Sequence, residues 1–284
     1  MKIPILLWIA LLSTGAAMAQ TDSTVVKNDT IRIGSMLIIK RKGPNDKNTS
    51  EVSWNKKHVR VGHKNVETNY LIMDFGFANF SDHTNYGTPA VQSFARAVRP
   101  GEAAFSASDF NRNNGKSVNF SLWFFMQRRN LIGHVLNLKY GLGIESNNYR
   151  FDNNISFVKG GGQPYVFRDS VSFSKNKLAL DYVTIPVMLN INTNPRKNHP
   201  FVFSGGISLG YLYSSRNKQI SSERGKQTNR GDYDLKPFKL SYVGEIGLGA
   251  LKLYGSYTPK SVFENSTGMD MRPYNIGIRF GGWD

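Results

Sequence analysis

Residues 178–213 read LALDYVTIPVMLNINTNPRKNHPFVFSGGISLGYLY. Two long alternating runs flank a short turn between Thr193 and Pro200. In the first run Val183, Ile185, Val187, Leu189 and Ile191 share one face. Tyr182, Thr184, Pro186, Met188 and Asn190 share the other. In the second run Phe201, Phe203, Ile207, Leu209, Tyr211 and Tyr213 oppose Val202, Ser204, Gly206, Ser208, Gly210 and Leu212. A period of two over more than about ten residues marks long strands whose faces meet different environments. The stretch reads as one hairpin of a closed barrel.

The same pattern recurs six more times. The further runs cover Tyr70–Phe80, Ser117–Gln127, His134–Asn147, Phe238–Gly249, Leu251–Thr258 and Arg272–Phe280. Between them, long connections (81–115, 152–175, 217–235, 261–269) alternate with tight turns (130–133, 194–199, 249–251). This alternation is the outer-membrane barrel pattern, and the runs reach the roughly 9–11 residues that a tilted strand needs to cross a bilayer. The expected fold is all-β: an eight-stranded antiparallel up-and-down transmembrane barrel with a short N-terminal periplasmic extension.

A soluble eight-stranded barrel is the competing architecture. The two faces discriminate. The bulky face is Leu, Ile, Phe and Tyr with almost no charge, as lipid requires. The minor face is Gly, Ser and Asn with spaced single charges, which suits a crowded interior. Tyr70, Tyr140, Tyr211, Tyr213, Tyr257 and Tyr274 near the strand ends fit an interfacial girdle.

The N-terminus explains how such a chain would reach a membrane. Residues 1–19 read as a signal peptide: Lys2, an apolar stretch Ile3–Leu12, and Ala17-Met18-Ala19 before Gln20. Residues 20–68 then form a periplasmic extension and 69–284 the barrel. Residues 21–68 carry ten Lys/Arg against five Asp/Glu. They read as a small, loosely structured arm with one short strand near Thr30–Lys40, a turn at 43–46 and another extended piece at Ser53–Val61. The expected location is the bacterial outer membrane with the arm in the periplasm.

Composition narrows the function classes. A hydrophobic share of 40% with 12% aromatics argues against bulk disorder. The absence of cysteine excludes a disulfide scaffold and thiolate zinc. The charge of +16 favours polyanionic partners. Export makes lipid phosphates the expected ones, with lipopolysaccharide a candidate and no nucleic acid. A periplasmic or outer-membrane protein partner is the other candidate.

Alternation sends Asp74, Lys139, Glu145, Glu245, Lys252 and Arg279 into the lumen. Unpaired charge there is costly, so the six are expected to pair, with Asp74 and Arg279 as neighbours where the barrel closes. The long connections hold Arg96, Arg99, Arg112, Lys218, Arg224, Lys226 and Arg230, candidate phosphate contacts through forked guanidinium or ammonium groups. His58, His63, His83, His134 and His199 match no metal-ligand spacing, so neither a metal nor another cofactor is expected. His83 with Ser81 or Ser93 is the thin enzyme alternative. A narrow pore is the other, disfavoured by the small bore of eight strands.

YVTIPVMLNINTNP and PFVFSGGISLGYLYSSRNK resemble paired strands of the PorT-like outer-membrane barrel family of Bacteroidota. LIMDFGFANF, LKYGLGIESNNYRF and GEIGLGALKLYGSYTPKSVF extend the resemblance over roughly residues 65–284. The resemblance implies a small outer-membrane barrel, some relatives of which are tied to protein secretion and gliding. Thr184 stands where the family tends to carry a glutamate, and Gly281-Gly282-Trp283-Asp284 replaces a terminal aromatic. The resulting expectation is a non-enzymatic structural or interaction scaffold with a filled, charge-paired lumen, and a lipid-modifying enzyme or narrow pore as the alternative.

Overall fold

The computed structural model describes residues 29–33, 36–42, 48–53, 64–159, 161–195, 200–248 and 251–281. The expected signal peptide, the 43–46 turn, residues 54–61 of the expected second extended piece, His58, His63, Arg196, Lys197, His199, Gly249, Ala250 and residues 282–284 lie outside them. The chain divides into two compact units, residues 1–62 and 63–284.

In the first unit β1 (Asp29–Ile33), β2 (Met36–Lys42) and β3 (Asn48–Ser53) pair antiparallel in that order. This corrects the expectation of a single strand over 30–40 in a loose arm. The run folds on itself, with Ile31 opposite Ile38, and so satisfies backbone groups that a lone strand leaves open.

The second unit runs β4 (Val66–Asp82), α1 (Pro89–Phe94), β5 (Ala95–Arg96), β6 (Val118–Ile132) and β7 (Leu136–Arg150). Then come β8 (Ile155–Val158), β9 (Tyr165–Arg168), β10 (Lys175–Asn192), β11 (Phe201–Ser221) and β12 (Gly225–Arg230). It ends with β13 (Phe238–Leu248), β14 (Leu251–Tyr257) and β15 (Met271–Phe280). β4 begins ahead of the expected boundary at residue 69.

Each of the eight strands β4, β6, β7, β10, β11, β13, β14 and β15 pairs antiparallel with the next, and β15 pairs back to β4. The ladders therefore close a ring with no free edge inside it. The period of two sorts residues between its faces. Phe75 is 50% exposed on the outer face while Asp74 beside it is 1% exposed on the inner. Outer rows are apolar: Phe203, Ile246, Leu253, Ile278 and Phe75 lie opposite one another across five strands. Tyr242, Tyr257 and Tyr274 make a second outer row.

Two departures from simple alternation shape the inner face. A bulge between Trp123 and Phe125 shifts the register of β6, so Met126 turns inward and is fully buried instead of sharing the outer face with Phe124. The inner face also admits a large ring only where glycines clear space. Gly76 and Gly277 face each other, and a Cβ on Gly76 would lie 2.6 Å from the Tyr254 hydroxyl.

The connections beyond one end of the ring are not plain loops. β10 and β11 continue past the ring ladders, β11 turns back as β12, and β8–β9 forms a hairpin joined in parallel by β5. These elements enclose an apolar core. Val91, Phe94, Phe105, Phe110, Phe157 and Phe263 are buried with Leu178 and Leu180 of β10. Phe80 stacks on Tyr149 at 3.8 Å between centroids. These aromatic residues are irregularly spaced in sequence, so no period announces them.

Candidate functional site

The inner face of the ring collects the charges that alternation places there. Arg279 of β15 stands opposite Asp74 of β4 in register. Its Nε and Nη2 donate to Asp74 Oδ1 and Oδ2, each at 2.7 Å. Two parallel bonds fix both planes, the geometry that makes an arginine–carboxylate pair specific. Trp123 Nε1 adds a third donor to Asp74 at 2.7 Å.

From Arg279 the network crosses the ring. Its Nη1 donates to Glu245 Oε2 at 2.5 Å, and Lys139 Nζ reaches both Glu245 oxygens at 2.7 Å. A second cluster surrounds Glu145, which accepts from Lys239 Nζ, from Asn147 at 2.8 Å and from Asn275 at 3.3 Å. Thr184 Oγ1 donates to Glu145 at 3.5 Å. The Tyr254 hydroxyl, seated over Gly76, donates to Asn119 Oδ1. Lys252 Nζ lies 3.4 Å from the Gly281 carbonyl oxygen.

All six luminal residues expected from sequence thus lie on the inner face, none more than 9% exposed. Four of them, Asp74, Arg279, Glu245 and Lys139, join through carboxylates, Glu145 pairs instead with Lys239, and Lys252 sits on the same face. Lys239, 7% exposed, was missed. It has the same parity in β13 as Ser241 and Glu245, so the signal was present. With it, four cations meet three carboxylates instead of three. Between the side chains a cavity of about 40 Å³ remains, bordered by Trp123, Met188 and Tyr254. It holds at most a few waters. What this arrangement can do is lock opposite walls of the ring together. Removing one partner leaves a buried charge uncompensated, and that costs far more than the pair itself contributes.

The seven loop cations divide. Arg112 turns inward to the Phe110 and Phe80 carbonyls and to Asn79. Arg224 pairs with Asp169 at 2.8 Å. Arg96 lies over the Tyr165 ring, and Arg99 donates to the Arg168 carbonyl. Lys218, Lys226 and Arg230 instead share the outer face of the β11–β12 hairpin. Sequence reasoning did not single out Arg168. It donates to Asp109 at 2.6 and 2.9 Å and to the Ala103 and Ala104 carbonyls, and it lies 3.4 Å from Glu102. Partial burial opposes ionisation of Asp109. The bonds from Arg168 and the Ser106 amide outweigh this and hold the carboxyl below its usual range.

Ser81 Oγ lies 2.8 Å from His83 Nε2 at the outer end of β4. Among the described residues nothing hydrogen-bonds the other ring nitrogen, and the nearby Asp270 carboxylate is held by Arg272 at 2.6 and 2.9 Å. The Ser93 hydroxyl donates to the Ala90 carbonyl instead. Among the described residues no group of His, Asp and Glu has a metal-binding arrangement.

The profile of a family described as "outer membrane protein beta-barrel domain" matches residues 78–259, more than half of the chain. No curated protein matches it.

Proposed function

The chain belongs to the outer membrane protein beta-barrel domain family, and from that membership we propose that it is a non-enzymatic scaffold of the bacterial outer membrane. In this reading the eight-stranded ring is a transmembrane barrel. Its lumen is filled and charge-paired, and residues 20–68 extend into the periplasm. The observation that carries it is the inversion of polarity across the wall. Lys139 and Asp74 are 1% exposed, whereas Phe77 and Ile276 are 55% and 61% exposed. In water such a surface is a liability; in hydrocarbon it is the required face. The folded cap over one end supplies a broad surface for partners, and the basic β1–β3 sheet supplies another.

The PorT-like resemblance belongs to this reading and rests on the strand segments of residues 65–284. It implies a small outer-membrane barrel, some relatives of which are tied to protein secretion and gliding, and does not by itself fix a function. The small cavity in the lumen favours the scaffold over the pore, since a pore needs a continuous hydrated path.

The test begins with the membrane fraction, where the intact protein should show heat-modifiable gel migration. A chain found in the soluble periplasm without that shift overturns the barrel. Planar-bilayer recording should show no steady conductance, and a stable channel would replace the scaffold with the pore. Affinity capture with and without residues 20–68 then tests the arm, whose proposed role fails if the same partners are recovered. The Ser81–His83 contact favours a lipid-modifying enzyme as second reading. Without an orienting group on the imidazole a serine is weakly activated. Any phospholipid hydrolysis or acyl transfer lost in Ser81→Ala would restore that reading.

A further inference from the structure

Above the apolar belt the sheet β7–β10–β11–β12 continues, and its outer face carries rows of cations. Arg150, Lys177 and Lys218 stand directly opposite one another in register. In the next row outward, Lys175 and Lys226 flank Ile220. One row inward, Arg216 stands opposite Arg230. Asp181, the carboxylate sharing this face, sits a row closer to the belt and is already paired with Arg216 at 2.9 Å. Like charges directly opposite on paired strands repel. Burial first, and then Lys175, Lys218 and Arg216, draw the Lys177 ammonium down to about 8.

The face is also rigid. Its reverse side is pinned to the cap: Asn176 Nδ2 donates to the Ile155 carbonyl at 2.6 Å, and Gln219 Nε2 to the same oxygen at 3.2 Å. Below the rows the β11–β13 ladder ends at Tyr211 and Phe238. There a groove of about 790 Å³ opens, bordered by Arg216, Arg230, Tyr211 and Tyr213 and also by the carboxylates Asp181 and Asp232, so that it suits neutral sugar hydroxyls while the phosphates lie on the cation rows above it. The apolar belt, the groove and the cation rows, in which Lys177 and Arg150 hold only the neutral acceptors Asn148 and the Ser174 carbonyl, form one continuous surface.

We propose that this surface binds a phosphorylated glycolipid of the outer leaflet, with its acyl chains on the belt, its sugars in the groove and its phosphates on the Arg216 and Lys177 rows. The proposal rests on the membrane reading above. Height selects the occupant. The cation rows span two steps, about 14 Å along the strands and roughly 10 Å above the belt after tilt. A glycerophospholipid headgroup is too short to meet both ends of that ladder, whereas a phosphorylated saccharide headgroup reaches them.

The experiment is native mass spectrometry of the detergent-purified full chain with added diphosphorylated lipid A. The comparison lipids are its dephosphorylated form and phosphatidylglycerol. Wild type should retain diphosphorylated lipid A at least about tenfold better than either comparison lipid, and K175Q/K177Q/K218Q/K226Q should lose that margin. K116Q/K260Q, with the same kind of change elsewhere on the loop side, should keep it. Equal retention by the quadruple variant, or of phosphatidylglycerol by wild type, overturns the proposal, as does no retention at all. Each sample is also run for heat-modifiable migration. A shifting chain that fails to retain the glycolipid sinks this site alone, and a chain that never shifts sinks the membrane reading first.

Discussion

Lys139 Nζ lies 2.7 Å from both carboxylate oxygens of Glu245, although β7 and β13 are separated around the ring by β10 and β11. The pair spans the lumen rather than a ladder. Its loss therefore affects closure of the whole ring, not one strand pair.

Replacing Lys139 with Met should cost about 1.5–3 kcal/mol, because Glu245 keeps its Arg279 partner but loses the Lys139 ammonium that binds both its oxygens. Urea unfolding followed by gel mobility would show the midpoint fall. Lys139→Met with Glu245→Gln should recover part of the loss, since the under-bonded buried carboxylate is gone and Arg279 keeps Asp74. A double variant less stable than Lys139→Met alone would contradict the ion-pair account.

Gly76→Val should destabilise by about 1–3 kcal/mol, since its side chain would enter the space of the Tyr254 hydroxyl and the facing β15 backbone. Gly205→Ala should be close to neutral, because nothing lies within 4 Å of a Cβ there. The two unfolding midpoints form the comparison. Equal losses would mean that inner-face crowding is not the cause.

Leu253→Arg should cost about 2–4 kcal/mol if the outer row lies near the bilayer centre. Ile246 and Ile278 flank it in register, so no counter-charge is at hand. Folding into vesicles, scored by the heat-modifiable fraction, is the readout. Full tolerance of the arginine would place that row in water.

The cap should loosen in acid. The Asp109 carboxyl lies below its ordinary range, so its contribution is present above the unfolded value and is lost as pH falls through the folded one. Pepsin nicking of residues 97–110 should therefore increase only below about pH 4 in wild type. Asp109→Asn, which forfeits the ion pair, should be nicked readily across the accessible range. A wild-type profile flat down to about pH 2 would remove Asp109 as the clamp.

Much of the ring was legible because lipid and lumen impose a strict period of two. Leu253 and Lys252 cannot exchange faces without losing both environments. The six luminal charges followed from the same parity, and Lys239 was within its reach. The folded cap was not legible. Phe94, Phe105, Phe110 and Phe157 sit at irregular intervals in stretches rich in Asn, Ser and Gly. Their burial depends on which connections meet above the ring. Arg112 and Arg224 look like free loop cations in sequence for the same reason, yet both are held by acceptors far along the chain.

The sequence by itself determined the alternation, the strand runs of the ring and which face of the ring carries its charges. Those are properties of neighbouring residues and of the medium on either side of a wall. The tertiary structure decided which charges meet. Lys139 and Glu245 are 106 residues apart, and only closure of the ring brings them within hydrogen-bonding distance. The same holds on the outer face, where Arg150, Lys177 and Lys218 are scattered in the chain and form a row only through strand register.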